Sequence, residues 1–281
     1  MAKESSQANL EFSNVCLHTL YHGTRSIPIV KRLYPSLLKM WARLTWPEGY
    51  KVKRYKGILF LLNYRSHVDR KIGLHGGYEH DRCDCFFGEM AKGCDVFVDV
   101  GASVGIYALQ AAHRNLAKEI LAFEPDPRNF AQLVFNISLN GFTGRVKPFQ
   151  EALSSTHGTL QFEMATESRA IASQVVATAG QAGAETMGHL TPGTGTLCEV
   201  KARPLDEALP CQGKKVFIKI TVQGHELDVL KGAAELLKNN DCLLEVYIWP
   251  ENRARVLKHL EDAEYKVTHI IREYYHYLTK A

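Results

Sequence analysis

The sequence predicts an α/β fold: a doubly wound, mostly parallel sheet preceded by an N-terminal α+β extension. Three observations predict it. From residue 93 onward, short apolar runs alternate with stretches of helical period, the pattern of strands joined by crossover helices. Val96-Phe97-Val98-Asp99-Val100 is apolar on both faces apart from its aspartate, as a central parallel strand is. Directly after it, Gly101 to Gly105 forms a tight turn that opens onto a helical pattern.

The elements follow in order. Val104 to Arg114 has the apolar spacing of a helix. Glu119 to Phe123 is a second strand, ending in Glu124-Pro125-Asp126-Pro127. Pro127 suits a helix start, and the helix runs to Leu139, where Asn140-Gly141 stops it. Arg145 to Phe149 is a third strand and Val216 to Ile220 a fourth. Glu226 to Lys238 reads as one helix closed by Asn239-Asn240-Asp241. Cys242 to Ile248 is a fifth strand and Arg253 to Glu261 a helix. Tyr265 to Ile271 and Tyr274 to Leu278 are two closing strands that can form a hairpin. Met164 to Leu197, rich in Ala, Gly, Thr and Ser, interrupts the pattern after the third strand. It reads either as a lid over the carboxyl ends of the sheet or as a plain loop.

Residues 1–92 form the extension and residues 93–281 the cofactor-binding domain. Ile29 to Trp46 carries Lys31, Arg32, Lys39 and Arg43 and no acid, with Leu33, Leu37, Leu38, Trp41 and Leu44 at roughly helical spacing. Such a basic amphipathic helix fits peripheral contact with a membrane surface. The competing reading, a cap packed on the domain or on the partner in a homo-oligomer, is favoured because a net +4 gives little electrostatic pull. Lys51 to Arg54 and Lys56 extend the basic stretch, and Gly57 to Leu62 reads as a strand.

Composition excludes several classes. With 46% hydrophobic, 23% charged and 10% aromatic residues in 281, the chain is neither disordered, collagenous nor a disulfide miniprotein. No apolar run is long enough to span a membrane as a helix. A net charge of +4, from 34 basic and 30 acidic residues, does not mark a nucleic-acid binder. Seven cysteines at irregular spacing do not make a disulfide framework. Cys83-Asp84-Cys85 lacks a second pair at zinc spacing, so no metal site is expected. The polar start, Met1 to Asn9, lacks a secretory pattern. A reducing cytoplasmic location is expected, at the inner membrane surface if the basic helix binds lipid.

The turn after the first strand carries the chemistry. Its two glycines let the backbone turn sharply and approach a ligand closely. A dinucleotide site would read G-x-G-x-x-G, but position 103 is Ser. Asp99 also precedes the turn, where its charge would oppose a diphosphate. Glu124, at the end of the second strand, can accept hydrogen bonds from two ribose hydroxyls. The competing reading is that Glu124 only begins the next turn while Asp126 caps the helix. Together these residues favour S-adenosylmethionine over NAD, since its sulfonium and ammonium groups tolerate nearby carboxylates.

Four blocks then carry a resemblance: FVDVGASVGIYALQAA, AFEPDPRNFAQLVFNISLNG, EALSSTHGTLQF and IKITVQGHELDVLKGA. In order and spacing they resemble the FkbM family of S-adenosylmethionine-dependent methyltransferases. The upstream VDRKIGLHGGYE is similar to the segment that precedes these blocks in that family. The resemblance covers roughly residues 55 to 275. It implies a Rossmann-like class I methyltransferase fold with a seven-stranded sheet. It also implies methylation of a hydroxyl on a glycan, glycolipid or polyketide-like acceptor, with S-adenosylhomocysteine as product. Carried over, Asp99, Gly101, Ala102, Ser103 and Gly105 line the methionine and adenosine side. Glu124, with Pro125 beside it, holds the ribose, and Glu151, Ala152 and Leu153 meet the adenine. Asn136 and Asn140 match family asparagines.

One departure stands out. The family commonly reads D-V-E-G after the fourth strand, and this chain reads Thr221-Val222-Gln223-Gly224. His225 and Glu226 keep the family pattern. His225 is the candidate proton acceptor, or else a helix-start residue facing solvent. Glu226 and Glu79 complete the catalytic candidates, with Asp69 and His80 as further groups near the acceptor. Methyl transfer needs mainly alignment of the acceptor oxygen with the methyl group, so losing both acids does not exclude activity. The alternative is a non-catalytic cofactor-binding or assembly module. An NAD-dependent enzyme is disfavoured by the missing middle glycine.

Overall fold

The computed structural model describes residues 40, 46, 49–75, 80–164, 174–178 and 196–281. It divides into two compact units: Met1–His80 with Glu167–Ala170, and Asp81–Thr166 with Ile171–Ala281.

In the smaller unit, β1 (Tyr50–Tyr55) and β2 (Ile58–Asn63) form an antiparallel hairpin. Lys56 and Gly57 join them with φ of 47 and 84, both left-handed, as a two-residue hairpin turn requires. β2 alternates and buries Ile58, Phe60 and Leu62 on one face. α1 (His67–His75) follows. Its cap is reciprocal: Ser66 Oγ accepts from the Asp69 N–H at 3.2 Å and donates to Asp69 Oδ1 at 2.9 Å. Asp69 Oδ2 accepts from the Asn63 N–H at 2.7 Å, so this carboxylate serves the cap. Trp46 is buried, and a Cβ on Gly73 would stand 2.6 Å from its ring. Of the basic stretch Ile29 to Trp46, all but residues 40 and 46 lie outside the described residues.

The larger unit contains, in order, α2 (His80–Met90), β3 (Val96–Val100), α3 (Ile106–His113), β4 (Glu119–Phe123), α4 (Pro127–Leu139) and β5 (Val146–Phe149). Next come β6 (Ala152–Leu153), β7 (Gly158–Met164), β8 (Gln174–Thr178), β9 (Thr196–Arg203) and α5 (Leu205–Ala208). Then follow β10 (Lys215–Ile220), α6 (Glu226–Lys231), α7 (Ala234–Asn239), β11 (Asp241–Tyr247), α8 (Pro250–Asp262), β12 (Tyr265–Ile271) and β13 (Tyr275–Lys280). Helix α2, which a boundary after residue 92 would give to the extension, packs with this unit.

The main sheet has seven strands in the order β12-β13-β11-β10-β3-β4-β5. From β11 to β5 the strands are parallel, and β13 is inserted antiparallel beside β11, with β12 as its hairpin partner. This is the Rossmann-like, doubly wound sheet that the sequence predicts. The chain winds outward from β3 through β4 to β5, then returns to β10 on the other side of β3. That reversal opens a crevice at the carboxyl ends of β3 and β10, where ligands bind in such sheets. Alternation sorts the strands onto two faces. Val96, Val98, Val100, Val216, Ile218 and Ile220 join one large buried cluster with Val229, Leu236, Val256 and Leu260 of the helices. Phe97 and Phe217 face the other way, 5.5 and 6.0 Å from the Phe86 ring on α2. Burying each such ring stabilises the fold by about 2 kcal/mol. Among the described residues, no helix is long and apolar enough to cross a membrane.

Three expectations are corrected. The single helix from Glu226 to Lys238 is two, α6 and α7, broken at Gly232. There the backbone comes so close to β6 that a Cβ would stand 2.0 Å from Ser154 O. The helix expected from Arg253 starts at Pro250, its fixed φ serving the first helical position. The stretch from Met164 to Leu197 is not a plain interruption of the pattern. A second, four-stranded sheet of order β6-β9-β7-β8 runs into it from both sides, and residues 174–178 supply its edge strand. Residues 165–173 and 179–195, where a lid would lie, are outside the described residues.

Candidate functional site

The glycine turn sits at the carboxyl end of β3. Gly101, Ser103 and Gly105 all have positive φ, at 73, 52 and 92. A Cβ on Gly101 would stand 2.2 Å from Thr221 O, so only glycine lets the two loops touch. Gly105 caps α3 from the left-handed region. Asn136 Nδ2 donates to Val104 O at 3.0 Å, and Asn140 Nδ2 to Asn136 O at 2.8 Å. Both asparagines therefore hold the scaffold behind the turn.

Two acids flank it. Asp99 is fully buried, and its Oδ2 accepts from the Ala108 N–H in the first turn of α3 at 3.1 Å. Its Oδ1 lies 3.0 Å from Lys219 Nζ, a charge contact off the hydrogen-bonding axis. Lys219 in turn donates to Gly101 O at 2.7 Å. Asp99 thus braces the turn from beneath. Glu124, at the end of β4, is 5% exposed. Its Oε2 accepts from the Ser103 N–H at 2.7 Å and its Oε1 from the Asp126 N–H at 3.0 Å. Burial, helped by the Asp126 charge, pushes its pKa up to about 7 against those two donors and Lys219. Asp126 caps α4 by accepting from the Arg128 N–H at 2.9 Å. Asp126 therefore caps the helix, as the competing reading expected, while Glu124 reaches across to the turn.

Lys219 was missed by the sequence reading. The signal was a lysine inside a buried apolar run, which demands a partner. The register supplies it: Asp99 pairs with Lys219, Lys219 with Glu245 and Glu245 with Tyr277. A polar row therefore crosses one face of the sheet. Arg82 on α2 meets this row, with Nε 2.5 Å from Glu245 Oε1, and the Tyr277 hydroxyl donates to Glu245 Oε2 at 2.5 Å. Burial still raises the pKa of Glu245, with Arg82 and Tyr277 opposing.

The second turn, Thr221 to Gly224, follows β10. Gln223 and Gly224 have φ of 55 and 106. Thr221 N–H donates to Val100 O at 3.1 Å, and Arg82 Nη2 approaches Thr221 Oγ1 at 3.5 Å. Glu226 is fully buried, its Oε1 accepting from the Gly224 N–H at 2.8 Å while Oε2 has no well-aligned partner. Burial pushes its pKa up to about 7, opposed by the Gly224 N–H and the Asn252 amide. Asn252 Nδ2 also donates to Gly224 O at 3.2 Å, tying α8 to this turn.

His225 faces inward rather than to solvent. Nε2 lies 3.1 Å from Ser154 Oγ and Nδ1 lies 3.6 Å from Asp228 Oδ2. Burial lowers its pKa, with Asp228 opposing, and its two contacts tie the residue after β6 to the start of α6. Glu151 pairs with Arg203 at 2.6 Å, and Arg203 covers the Phe149 ring at 5.3 Å. Ala152 and Leu153 are buried in β6, where they pair with Ala202 and Arg203. Pro125 is half-buried beside Glu124. The structure therefore brings Gly101, Ala102, Ser103, Gly105, Glu124 and Pro125 together at the carboxyl ends of β3 and β4, with Asp99 buried beneath the turn. Phe149 to Leu153 continue from the neighbouring strand end, and His225 and Glu226 lie turned into the protein. Glu79 and the His80 side chain lie outside the described residues. Among the described residues no group of His, Cys, Asp and Glu could hold a metal ion.

The methyltransferase FkbM domain matches residues 99–267. The chain is 30% identical over 162 residues to the hexuronic acid methyltransferase AglP of Haloferax volcanii, covering 57% of this chain and 59% of that protein. The chain thus spans under two thirds of that relative's length. It is 29% identical over 196 residues to the methyltransferase sdnD of Sordaria araneosa, covering 61% of this chain and 73% of that one. The crystal structure of methyltransferase FkbM from Methylobacillus flagellatus KT superposes with a TM-score of 0.43 at 18% identity, over 66% of this chain and 43% of that chain.

Proposed function

The chain belongs to the FkbM methyltransferase domain family, and on that premise we propose that it transfers a methyl group from S-adenosylmethionine to an acceptor hydroxyl. The acceptor class is a glycan, glycolipid or polyketide-like molecule. One observation carries the cofactor reading. The anion-binding end of α3 is already used, because Asp99 takes the Ala108 N–H, and Glu124 lies across the turn above it. A diphosphate would find the Ala108 and Ser103 N–H groups already taken by carboxylates, whereas a ribose can share the oxygens of Glu124.

Bound there, S-adenosylmethionine supplies a methyl group on a positively charged sulfur. Everything else falls to the chain. Gly101, Ala102, Ser103 and Gly105 offer backbone without bulk, and Asp99 and Lys219 keep that backbone in place. Glu124 accepts the ribose hydroxyls with the lone pairs that Ser103 and Asp126 leave over. Pro125 closes the ribose side, and Phe149 to Leu153 border the base. The hydroxyl is presented from the Thr221–Gly224 side, where alignment alone supplies several kcal/mol of the barrier lowering. The name of the Haloferax relative, a hexuronic acid methyltransferase, supports a sugar acceptor. Cytoplasmic location, peripheral membrane contact through Ile29 to Trp46 and self-association belong to the same proposal.

A second reading has its own observation. Thr221 and Gln223 are neutral, and His225 and Glu226 face inward, which favours a module that binds the cofactor without turnover. Isothermal titration separates the cases first. Micromolar binding of S-adenosylhomocysteine with no NAD binding is expected, and its absence rejects both. Transfer of labelled methyl into a glycan fraction of cell extract then supports the enzyme, and tight binding without transfer supports the module.

A further inference from the structure

Four aromatic side chains gather at the carboxyl end of β11. The Tyr247 ring lies 5.4 Å from Trp249 at 89°, 5.7 Å from Tyr274 at 30° and 4.8 Å from Tyr275 at 56°. The register puts this cluster on the edge that carries the cofactor turn. Ile220 pairs with Val246 on one side and Val100 on the other. Tyr247, Thr221 and Gly101 are thus the next residues along three adjacent strands. With neighbouring strands ~4.8 Å apart, the end of β11 lies roughly 10 Å from the glycine turn, within the span of one sugar ring and its substituents.

These rings differ from those that fill the core. Phe86, Phe97, Phe123 and Phe217 are essentially fully buried, whereas Tyr247, Trp249, Tyr274 and Tyr275 are only half-buried. They also carry three phenol hydroxyls and an indole N–H, so the surface is apolar on its faces and polar at its rim. It is stiffened from beneath. The Arg82 guanidinium lies 3.9 Å from the centre of the Tyr275 ring, and its charge is met by Glu245. The surface is therefore held in place without presenting a bare charge. A polyketide chain would call for an enclosed apolar slot. A pyranose matches what is present: its C–H face stacks on a ring, and its hydroxyls reach the polar rim and beyond.

We propose that Tyr247, Trp249 and Tyr274 form the acceptor subsite, where a pyranose ring stacks and presents one hydroxyl toward Thr221 and the glycine turn. The proposal rests on the methyltransferase reading and adds to it the residues that select the acceptor. The test uses the full chain saturated with S-adenosylhomocysteine and two probes, methyl β-glucopyranoside and methyl β-glucuronide, in saturation-transfer difference NMR. Transfer to the ring C–H protons of at least one probe is expected. Trp249→Ala and Tyr274→Ala should each reduce it at least fivefold, and Trp249→Phe should keep at least half. Affinity for S-adenosylhomocysteine should stay within twofold throughout. If Trp249→Ala also lowers that affinity, Tyr274→Ala decides. No transfer in the parent protein, or undiminished transfer in the alanine variants, overturns the subsite. S-adenosylhomocysteine binding with no sugar contact rejects the subsite alone. Failure to bind S-adenosylhomocysteine rejects the methyltransferase reading and the subsite with it.

Discussion

Two turns lie side by side at the carboxyl ends of β3 and β10, and each is pinned by a buried glutamate. In the first, Glu124 accepts from the Ser103 N–H, and in the second, Glu226 accepts from the Gly224 N–H. Burial pushes both carboxyls to about 7. Beyond that they differ. Glu124 comes from the neighbouring strand, both its oxygens are engaged, and it sits at the rim of the crevice. Glu226 comes from the helix that the turn itself begins, one of its oxygens has no well-aligned partner, and it has no exposure. The first turn is built from long-range contacts, and its acid is 5% exposed. The second is a local knot that hides its acid. The same residue type, similarly perturbed, joins two strand ends in one place and closes a local turn in the other, and the proposed ribose role falls to the first.

The largest effect should come from removing the brace of the first turn. Lys219→Met leaves Asp99 buried without its counter-charge and Gly101 O without its donor. Breaking a buried pair in this way costs about 3–5 kcal/mol, lowering the melting temperature by on the order of 10 °C. The double variant Asp99→Asn with Lys219→Met should recover most of that loss in a thermal melt. A single variant that melts with the parent would mean the pair braces nothing. Gly101→Ala comes next. Its methyl would meet Thr221 O, and its φ of 73 is strained for any side chain. A cost of about 2–3 kcal/mol is expected, together with loss of S-adenosylhomocysteine binding in titration. Normal binding by Gly101→Ala would show that the two turns can separate freely.

The first turn was also the more legible of the two. Its strand, its glycines and the acid at the end of the next strand are local features, visible as a run, a spacing and a residue type. The closing hairpin was legible for the same reason, as two apolar stretches a few residues apart. What was hidden depended on distant neighbours. Gly232 breaks a helical pattern only because Ser154 O lies against it. β7 and β9 pair across a stretch of thirty-odd residues, Met164 with Thr196, in a Thr- and Gly-rich region with little apolar contrast. His225 is a helix-start residue as it reads, but it turns inward because Ser154, just after β6, lies against it. The aromatic cluster joins Tyr247 and Trp249 to Tyr274 and Tyr275, which meet only because β13 lies antiparallel to β11.

Substituting the two glutamates sharpens the contrast. Glu124→Gln should weaken S-adenosylhomocysteine binding about tenfold, or about 1.4 kcal/mol, at pH 8, while the fold stays intact. The ionised carboxylate is the better acceptor for ribose hydroxyls. Affinity of the parent should therefore rise as pH increases through about 7 and then level off, while Glu124→Gln should give a flat profile. Equal profiles in calorimetric titrations from pH 6 to 8.5 would remove Glu124 from the ribose.

Glu226→Gln should leave cofactor affinity alone and alter stability instead, with no difference from the parent in acid. A carboxyl whose folded pKa is raised contributes stability in full below its unfolded pKa of 4.5, and that contribution is lost as pH rises toward and past about 7. At pH 5 the buried acid is protonated and resembles the amide, so parent and variant should unfold at similar urea concentrations. At pH 8 the parent must either keep a charge in a fully buried site or take up a proton against the solution. The variant should then be the more stable by about 1–3 kcal/mol. Urea midpoints at pH 5, 6.5 and 8 measure the difference directly. Two curves that stay parallel across that range would mean the second turn does not hide its acid, and the distinction between the two turns would fail at that point.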